Sequence, residues 1–169
     1  MMSMKVYLGL YCKVGTPRKV LKELLQLNIP RGDIFLLFGT IDILIKFKKL
    51  KSLDEYIEKW FNPITMIGAE ERLIVETSTL IVRQESPSYT EVPFAIIFLN
   101  TKPQAYEDVR RSVLSIPEVL SADHVFGPYD IVCHVRAKDR VDLEGVLLSI
   151  QTSDLGIERT LTCIIKEVH

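Results

Sequence analysis

The feature that most constrains this chain is an internal repeat. The stretch Ala122–Val135, ADHVFGPYDIVCHV, has a twin in Ile34–Phe47, IFLLFGTIDILIKF. Phe38, Gly39, Asp42 and Ile43 align with Phe126, Gly127, Asp130 and Ile131 at a constant offset of 88 residues. Each copy is an apolar run, a G-x-x-D break and a second apolar run, which predicts a β-hairpin. Gly supplies a turn backbone with positive φ, and Asp hydrogen-bonds its own turn.

The flanks agree in kind and order. Val6–Cys12 is an apolar run of strand length. Thr16 as N-cap and Pro17 at the first helical position then start a helix, whose apolar face is Val20, Leu21, Leu24, Leu25 and Leu27. After the first hairpin, Ser52-x-x-Glu55 is a capping box. Leu53, Tyr56, Ile57, Trp60 and Phe61 make one face of a second helix, which Asn62-Pro63 should end. Arg72–Val82 is the last strand of this set. Beyond a polar connection the same order returns: a strand at Phe94–Asn100, a helix marked by Tyr106, Val109 and Val113, and the second hairpin. A helix with Asp139 as N-cap and Leu143, Val146, Leu147 and Ile150 as its face follows, and Thr160–Ile165 closes the set. Thr160 and Thr162 repeat Thr77 and Thr79 at an offset of 83.

Strand, helix, strand, strand, helix, strand is the βαββαβ, ferredoxin-like order. The expected fold is therefore α+β: two ferredoxin-like αβ-sandwich domains at residues 1–83 and 94–169, joined by a linker at 84–93. Leu44 and Val132 should point away from the helices, and the first strands are apolar on both faces. A sheet with one face in water alternates polar and apolar. The two sheets are accordingly expected to face each other as an intrachain pseudo-dimer.

Totals narrow the function. The net charge of −1 opposes a general nucleic-acid binder, although residues 1–83 hold 13 basic and 9 acidic side chains (net +4) and residues 84–169 hold 8 and 13 (net −5). The apolar runs are far shorter than the ~20 residues that span a membrane, and no secretory pattern precedes the first strand, so a cytoplasmic location is expected. Cys12, Cys133 and Cys163 sit in apolar runs without C-x-x-C spacing and read as buried free thiols. His124, His134 and His169 lack metal-ligand spacing, and neither metal nor cofactor is expected. No Ser-His-Asp order, H-E-x-x-H, P-loop or G-x-G-x-x-G occurs, and Cys133 and His134, as strand neighbours, point to opposite faces. The chain is expected not to be an enzyme. The cluster Lys46-x-Lys48-Lys49-x-Lys51 reads as the solvated end of a strand; as a phosphate patch it lacks interleaved aromatics. Trp60 and Phe61 read as core.

In the second half, the Ala95–Leu99 strand, Ile116-Pro117-Glu118-Val119, Gly127-Pro128-Tyr129-Asp130 and Gly156-Ile157 before Thr160-Leu161-Thr162 resemble the effector-binding (RAM) domain of the Lrp/AsnC regulators. Residues 5–82 resemble a more divergent copy, with Ile41 where the turn aromatic belongs. The resemblance implies a tandem of effector domains without the family's helix-turn-helix domain, so no direct DNA binding is expected. It implies a cytoplasmic regulatory protein that binds a small effector, an amino acid or related metabolite, and assembles into oligomers with itself or with Lrp/AsnC proteins. The alternative is a purely structural oligomerisation module or partner of DNA-binding relatives, without a ligand. Gly127, Tyr129 and Asp130 of the turn, with the hydroxyls of Thr160 and Thr162, are the implied ligand residues. Gly39, Asp42, Thr77 and Thr79 are their counterparts. A zwitterion needs an acceptor at one end and donors at the other, and these groups offer both.

Overall fold

Both hairpin turns form, and with the same backbone. Gly39 has φ 145° and Gly127 φ 148°, values that side-chain-bearing residues rarely adopt. The computed structural model describes residues 3–30, 32–153 and 156–169. Its strands are β1 (Met4–Cys12), β2 (Asp33–Phe38), β3 (Ile43–Leu50), β4 (Ile74–Gln84), β5 (Ala95–Thr101), β6 (Val119–Phe126), β7 (Ile131–Val135) and β8 (Ile157–Val168). The main helices are α1 (Pro17–Leu25), α2 (residues 53–65), α3 (Tyr106–Leu114) and α4 (Arg140–Ser153).

Local chemistry accounts for most boundaries. The Ser52 hydroxyl accepts from the Glu55 N–H at 3.1 Å, and Glu55 reaches back to the Lys51 N–H at 2.6 Å. Asp139 accepts from the Asp142 N–H at 2.8 Å in the same way at α4. Thr16 sits at the N-cap of α1 but does not cap it; its hydroxyl donates backwards to the Lys13 carbonyl at 2.7 Å. Val20, Leu21 and Leu24 are buried on α1, whereas Leu25 faces outward. Pro63 does not end α2, as the sequence led us to expect. The helix widens to a π-helix over Tyr56–Phe61, the Asn62 N–H bonds the Ile57 carbonyl five residues back, and α-helix resumes over Asn62–Thr65. The wider turn precedes a residue with no N–H to donate, which is how the helix passes a proline.

Two compact units divide the chain: residues up to Ile81 together with Lys166–His169, and Val82–Ile165. In the first, β1 lies between β3 and β4, and β2 pairs with β3. In the second, β5 lies between β7 and β8, and β6 pairs with β7. Each unit has its own apolar core. Leu8, Leu10, Ile43, Ile45 and Phe47 pack with Val20, Leu24, Tyr56 and Trp60 in one, and Ile97, Leu99, Ile131 and Cys133 with Val109, Val113, Val146 and Ile150 in the other. Each fully buried Leu or Ile contributes about 1.5–3 kcal/mol.

The expected pair of ferredoxin-like sandwiches with facing sheets is not what forms. All eight strands follow one order, β1-β3-β2-β8-β5-β7-β6-β4, which closes on itself as an antiparallel barrel. The reason lies in the last strands. β4 runs on to Gln84, two residues past the strand read from the sequence, and β8 runs 12 residues where the sequence marks only Thr160–Ile165. At the tail of β8, Ile34 and His169 exchange two backbone hydrogen bonds of 2.9 and 2.7 Å, so the edge of β2 is paired rather than exposed. Leu44 and Val132 are fully buried, as inward positions of a closed barrel are.

Candidate functional site

The two turn aspartates do one job twice. In the second unit the Asp130 N–H donates to the Leu99 carbonyl at 2.9 Å, and Asp130 Oδ2 accepts from the Thr101 N–H at 2.8 Å. The β5–β8 register shifts between Asn100 and Thr101. In the first unit the Asp42 N–H donates to the Leu10 carbonyl at 3.0 Å, and Asp42 Oδ2 accepts from the Cys12 N–H at 2.7 Å. There the β1–β4 register shifts between Tyr11 and Cys12. Each carboxylate takes up the N–H that a bulge releases from the ladder, a charge-assisted bond that locks turn to strand.

Beside the second turn lies a cavity of about 270 Å³, lined by Asn100, Pro128, Tyr129, Arg159, Thr160 and Leu161. Strand register builds it. Arg159 stands opposite Asn100 and Thr160 opposite Leu99 on the β5–β8 ladder. The Asn100 amide donates to the Pro128 carbonyl at 2.9 Å, tying the turn to the strand end. The Tyr129 ring lies 5.1 Å from the Phe98 ring, centroid to centroid, and Gln151 of α4 donates to the Thr160 hydroxyl at 3.4 Å. The cavity therefore offers a guanidinium and an aromatic ring within a shell of the size of a small metabolite, while Thr160, the strand neighbour of Arg159, turns its hydroxyl to the opposite face and to Gln151. Of the sequence-derived residues it unites Tyr129 and Thr160; Gly127 and Asp130 shape its turn without lining it. Thr162 stands opposite Ile97 two residue pairs further along and does not line it. Arg159 and Asn100 were missed. Adjacency to Thr160 was the available signal for Arg159, but only the strand register brings it beside Tyr129.

The first unit fills the same place differently. Thr77 and Thr79 stand opposite Leu10 and Leu8. The Thr79 hydroxyl is hydrogen-bonded to Tyr56 Oη at 2.9 Å, and burial pushes that phenol up to about 12 against the opposing pull of the Thr79 bond. Ile41 is fully buried, and Glu76 occupies the ladder position that Arg159 has in the second unit. Asp42 thus ties turn to strand, and Thr79 ties the last strand to the helix, through these bonds.

Other polar groups of the second unit are built into the fold. Ser86 anchors the connecting segment: its N–H donates to Asp123 Oδ1 at 2.9 Å, and its hydroxyl bonds both the carbonyl and the N–H of Ala122 at 2.8 Å. Tyr89 is hydrogen-bonded to His134. His124 stacks on Tyr106 with centroids 4.0 Å apart, and burial, with Arg83 second, lowers its pKa. Cys133 and Cys163 are buried and Cys12 half-buried; burial, with Asp42 second, pushes the Cys12 thiol up to about 12. Among the described residues no cluster of three or more His, Cys, Asp or Glu could hold a metal ion, and no helix is long and apolar enough to cross a membrane.

An antiparallel eight-strand order that closes on itself, with a small cavity at one hairpin, defines the class. Residues 94–169 match the profile of the Lrp/AsnC ligand binding domain, the stretch that holds the whole cavity. The resemblance read from the sequence therefore holds over the second half. The chain is 27% identical over 96 residues to the HTH-type transcriptional regulator FL11 of Pyrococcus furiosus, an alignment covering 57% of this chain and 62% of the relative. It spans about three fifths of the length of that regulator. In three dimensions it is similar to the siroheme decarboxylase NirDL in co-complex with an iron-uroporphyrin III analogue, with a TM-score of 0.71 at 8% identity, over 97% of this chain and 71% of that one. A mutant chlorite dismutase from Candidatus Nitrospira defluvii aligns with a TM-score of 0.55 at 12% identity, over 99% and 92%. Those neighbours establish the barrel and correct one sequence expectation. The reading of the chain as not an enzyme rested on missing motifs, yet this barrel is an architecture on which enzymes are built. Missing motifs do not exclude catalysis on it.

Proposed function

We propose that this chain is an effector-binding regulator whose ligand, an amino acid or a closely related small metabolite, occupies the cavity at Tyr129, Arg159 and Thr160. The observation that carries the reading is Arg159 in a cavity of about 270 Å³ within the segment that matches the ligand binding domain. A guanidinium forms paired hydrogen bonds with a carboxylate, the group every amino acid has. The Pro128 carbonyl, which already accepts from Asn100, offers an acceptor for the ammonium, and the Tyr129 ring an apolar wall. Asp130 and Gly127 hold the turn in place; Thr162 and the first-unit set Gly39, Asp42, Thr77 and Thr79 serve the scaffold.

Resemblance to a transcriptional regulator supports placing this binding event in gene regulation in the cytoplasm, with oligomers of the chain, or assemblies with DNA-binding Lrp/AsnC proteins, as the output. The test is a thermal-shift screen against the twenty amino acids, followed by calorimetry on the hits. A ligand present at 100 times its Kd stabilises by about 2.7 kcal/mol. Arg159→Gln should weaken the hit at least about tenfold and leave the melting temperature of the free protein nearly unchanged. A hit that binds Arg159→Gln as tightly as the wild type would remove the ligand from this cavity.

A further inference from the structure

We infer that the first unit holds a second, separate binding site, for the phosphate group of a small ligand, in the cavity between the Lys48–Lys49 strand end and the π-helical stretch of α2. The cavity measures about 440 Å³, and its lining includes Lys48, Lys49, Lys59, Glu55, Phe47 and Trp60.

Two departures from regular backbone converge on it. On one wall the β1–β3 register passes from Val6 opposite Phe47 to Met4 opposite Leu50, so β3 carries one extra residue. Lys49 takes it up at φ 58°, left-handed backbone that residues with a side chain rarely adopt. Consecutive residues of a regular strand point to opposite faces. Here the bulge leaves Lys48 and Lys49 both exposed at the mouth of the cavity. On the other wall the π-helix Tyr56–Phe61 carries Lys59 and Trp60. The Lys59 ammonium lies 5.3 Å from the centre of the Trp60 ring, which stacks on Phe47 at 5.5 Å. One aromatic of the cavity, Phe47, lies within the lysine run, and the other, Trp60, comes from a helix that begins beyond it.

Charge selects the ligand. Three lysines face the single carboxylate of Glu55, which is turned to the Lys51 N–H as part of the helix cap. Lys48 is paired with Asp33 at 3.3 Å, both groups more than a third exposed, a pair that solvent exchanges readily. Lys49 and Lys59 make no ion pair among the described residues. The second unit provides an internal control. Its cavity at the equivalent strand end, about 680 Å³, is lined by Arg136 and Lys138 against Glu91, Glu118 and Asp142, and Arg136 is paired with Glu91 at 3.3 Å. Among the described lining residues, one cavity has an excess of two cations and the other an excess of one acid. Lysine ammoniums gathered around a recess, without a matching set of acids, suit a phosphate dianion as point charges.

Trp60 is the only tryptophan, so intrinsic fluorescence reports on this cavity alone. The full chain is titrated with inorganic phosphate, AMP and adenosine at low and moderate salt. A saturable change with phosphate and AMP, absent with adenosine and weakened by salt, is expected. Equal midpoints for phosphate and AMP would identify a free phosphate site, and a much tighter AMP midpoint a nucleotide site. The double change Lys49→Gln and Lys59→Gln should raise the midpoint about tenfold or more. Lys49→Gly supplies a second variant that retains the left-handed backbone: it should melt higher than the wild type and still bind phosphate more weakly. Arg136→Gln in the second unit should change nothing. No saturable response to phosphate or AMP, adenosine binding as well as AMP, or an unchanged midpoint in the lysine variants would overturn the proposal.

Discussion

The two G-x-x-D hairpins share a backbone and differ in what they enclose. In both, a glycine with φ near 150° opens the turn and an aspartate takes up the N–H released by a bulge in the adjoining strand. In the first, a buried Ile41 fills the turn, and Glu76 stands across the ladder. In the second, Tyr129 and Arg159 take those two positions and a cavity opens between turn and strand. The shared residues are the ones that shape the backbone, and the divergent ones are those that a ligand would meet. A repeated motif therefore marks the scaffold of a site, and the departures from it mark the chemistry.

That comparison can be broken. The largest effect is expected from removing either carboxylate. Asp42→Ala and Asp130→Ala should each cost about 1.5–3 kcal/mol in urea unfolding, because each leaves a backbone N–H without its charged acceptor. Near-equal losses would establish the aspartates as one device. A full loss for Asp42→Ala with almost none for Asp130→Ala would show that Asp130 serves something other than the turn.

Filling tests the divergent position. Ile41 is completely buried, so Ile41→Tyr, which writes the second turn into the first, should overpack the unit and cost about 1–3 kcal/mol by thermal unfolding. A neutral result would mean that the first turn also has room for an aromatic, and the contrast between the units would lose its basis.

The smallest effect is a pH dependence confined to the second unit. Burial first and Arg83 second lower the pKa of His124 below its ordinary value of 6.5, with Arg110 acting in the same direction and Asp130 and Glu107 against it. The unfolded chain therefore binds the proton more readily than the folded one. The stability contributed by neutral His124 is complete above pH 6.5 and is lost as the pH falls through the lowered folded value. His124→Gln should flatten the stability profile between neutral and mildly acidic pH. An unchanged slope in that variant would assign the dependence elsewhere.

Much of this was legible in the chain itself, and the reason is locality. The hairpins, the element order, the capping boxes at Ser52 and Asp139 and the apolar faces of the helices are decided by residues within a few positions of each other. Turn geometry, cap hydrogen bonds and periodicity act at that range. The family resemblance was legible for the same reason, since its turn and strand signatures are short. The misreadings came where a residue's partner is distant. Pro63 reads as a stop because a π-turn upstream of it has no marker in the sequence. Lys48 and Lys49 are exposed at a strand end, as the sequence implies, but that Trp60 and Lys59 line the same cavity is visible only after α2 folds back. Arg159 was passed over because the β5–β8 register, across some 60 residues, is what sets it against Asn100.

By itself, then, the sequence determined two copies of one strand–helix–hairpin–helix–strand pattern, the glycine and aspartate of each turn, and the likeness of residues 94–169 to the Lrp/AsnC ligand binding domain. Only the tertiary structure decided that the strands close into one barrel instead of two sandwiches, and which side chains meet at its cavities. Sheet closure is settled by pairing at strand edges, where the ends of β4 and β8 find partners far away in the chain. Backbone N–H and C=O groups carry no sequence signal of their own. Which edge they satisfy is set by strand length and register, and these become definite only when the whole sheet has formed.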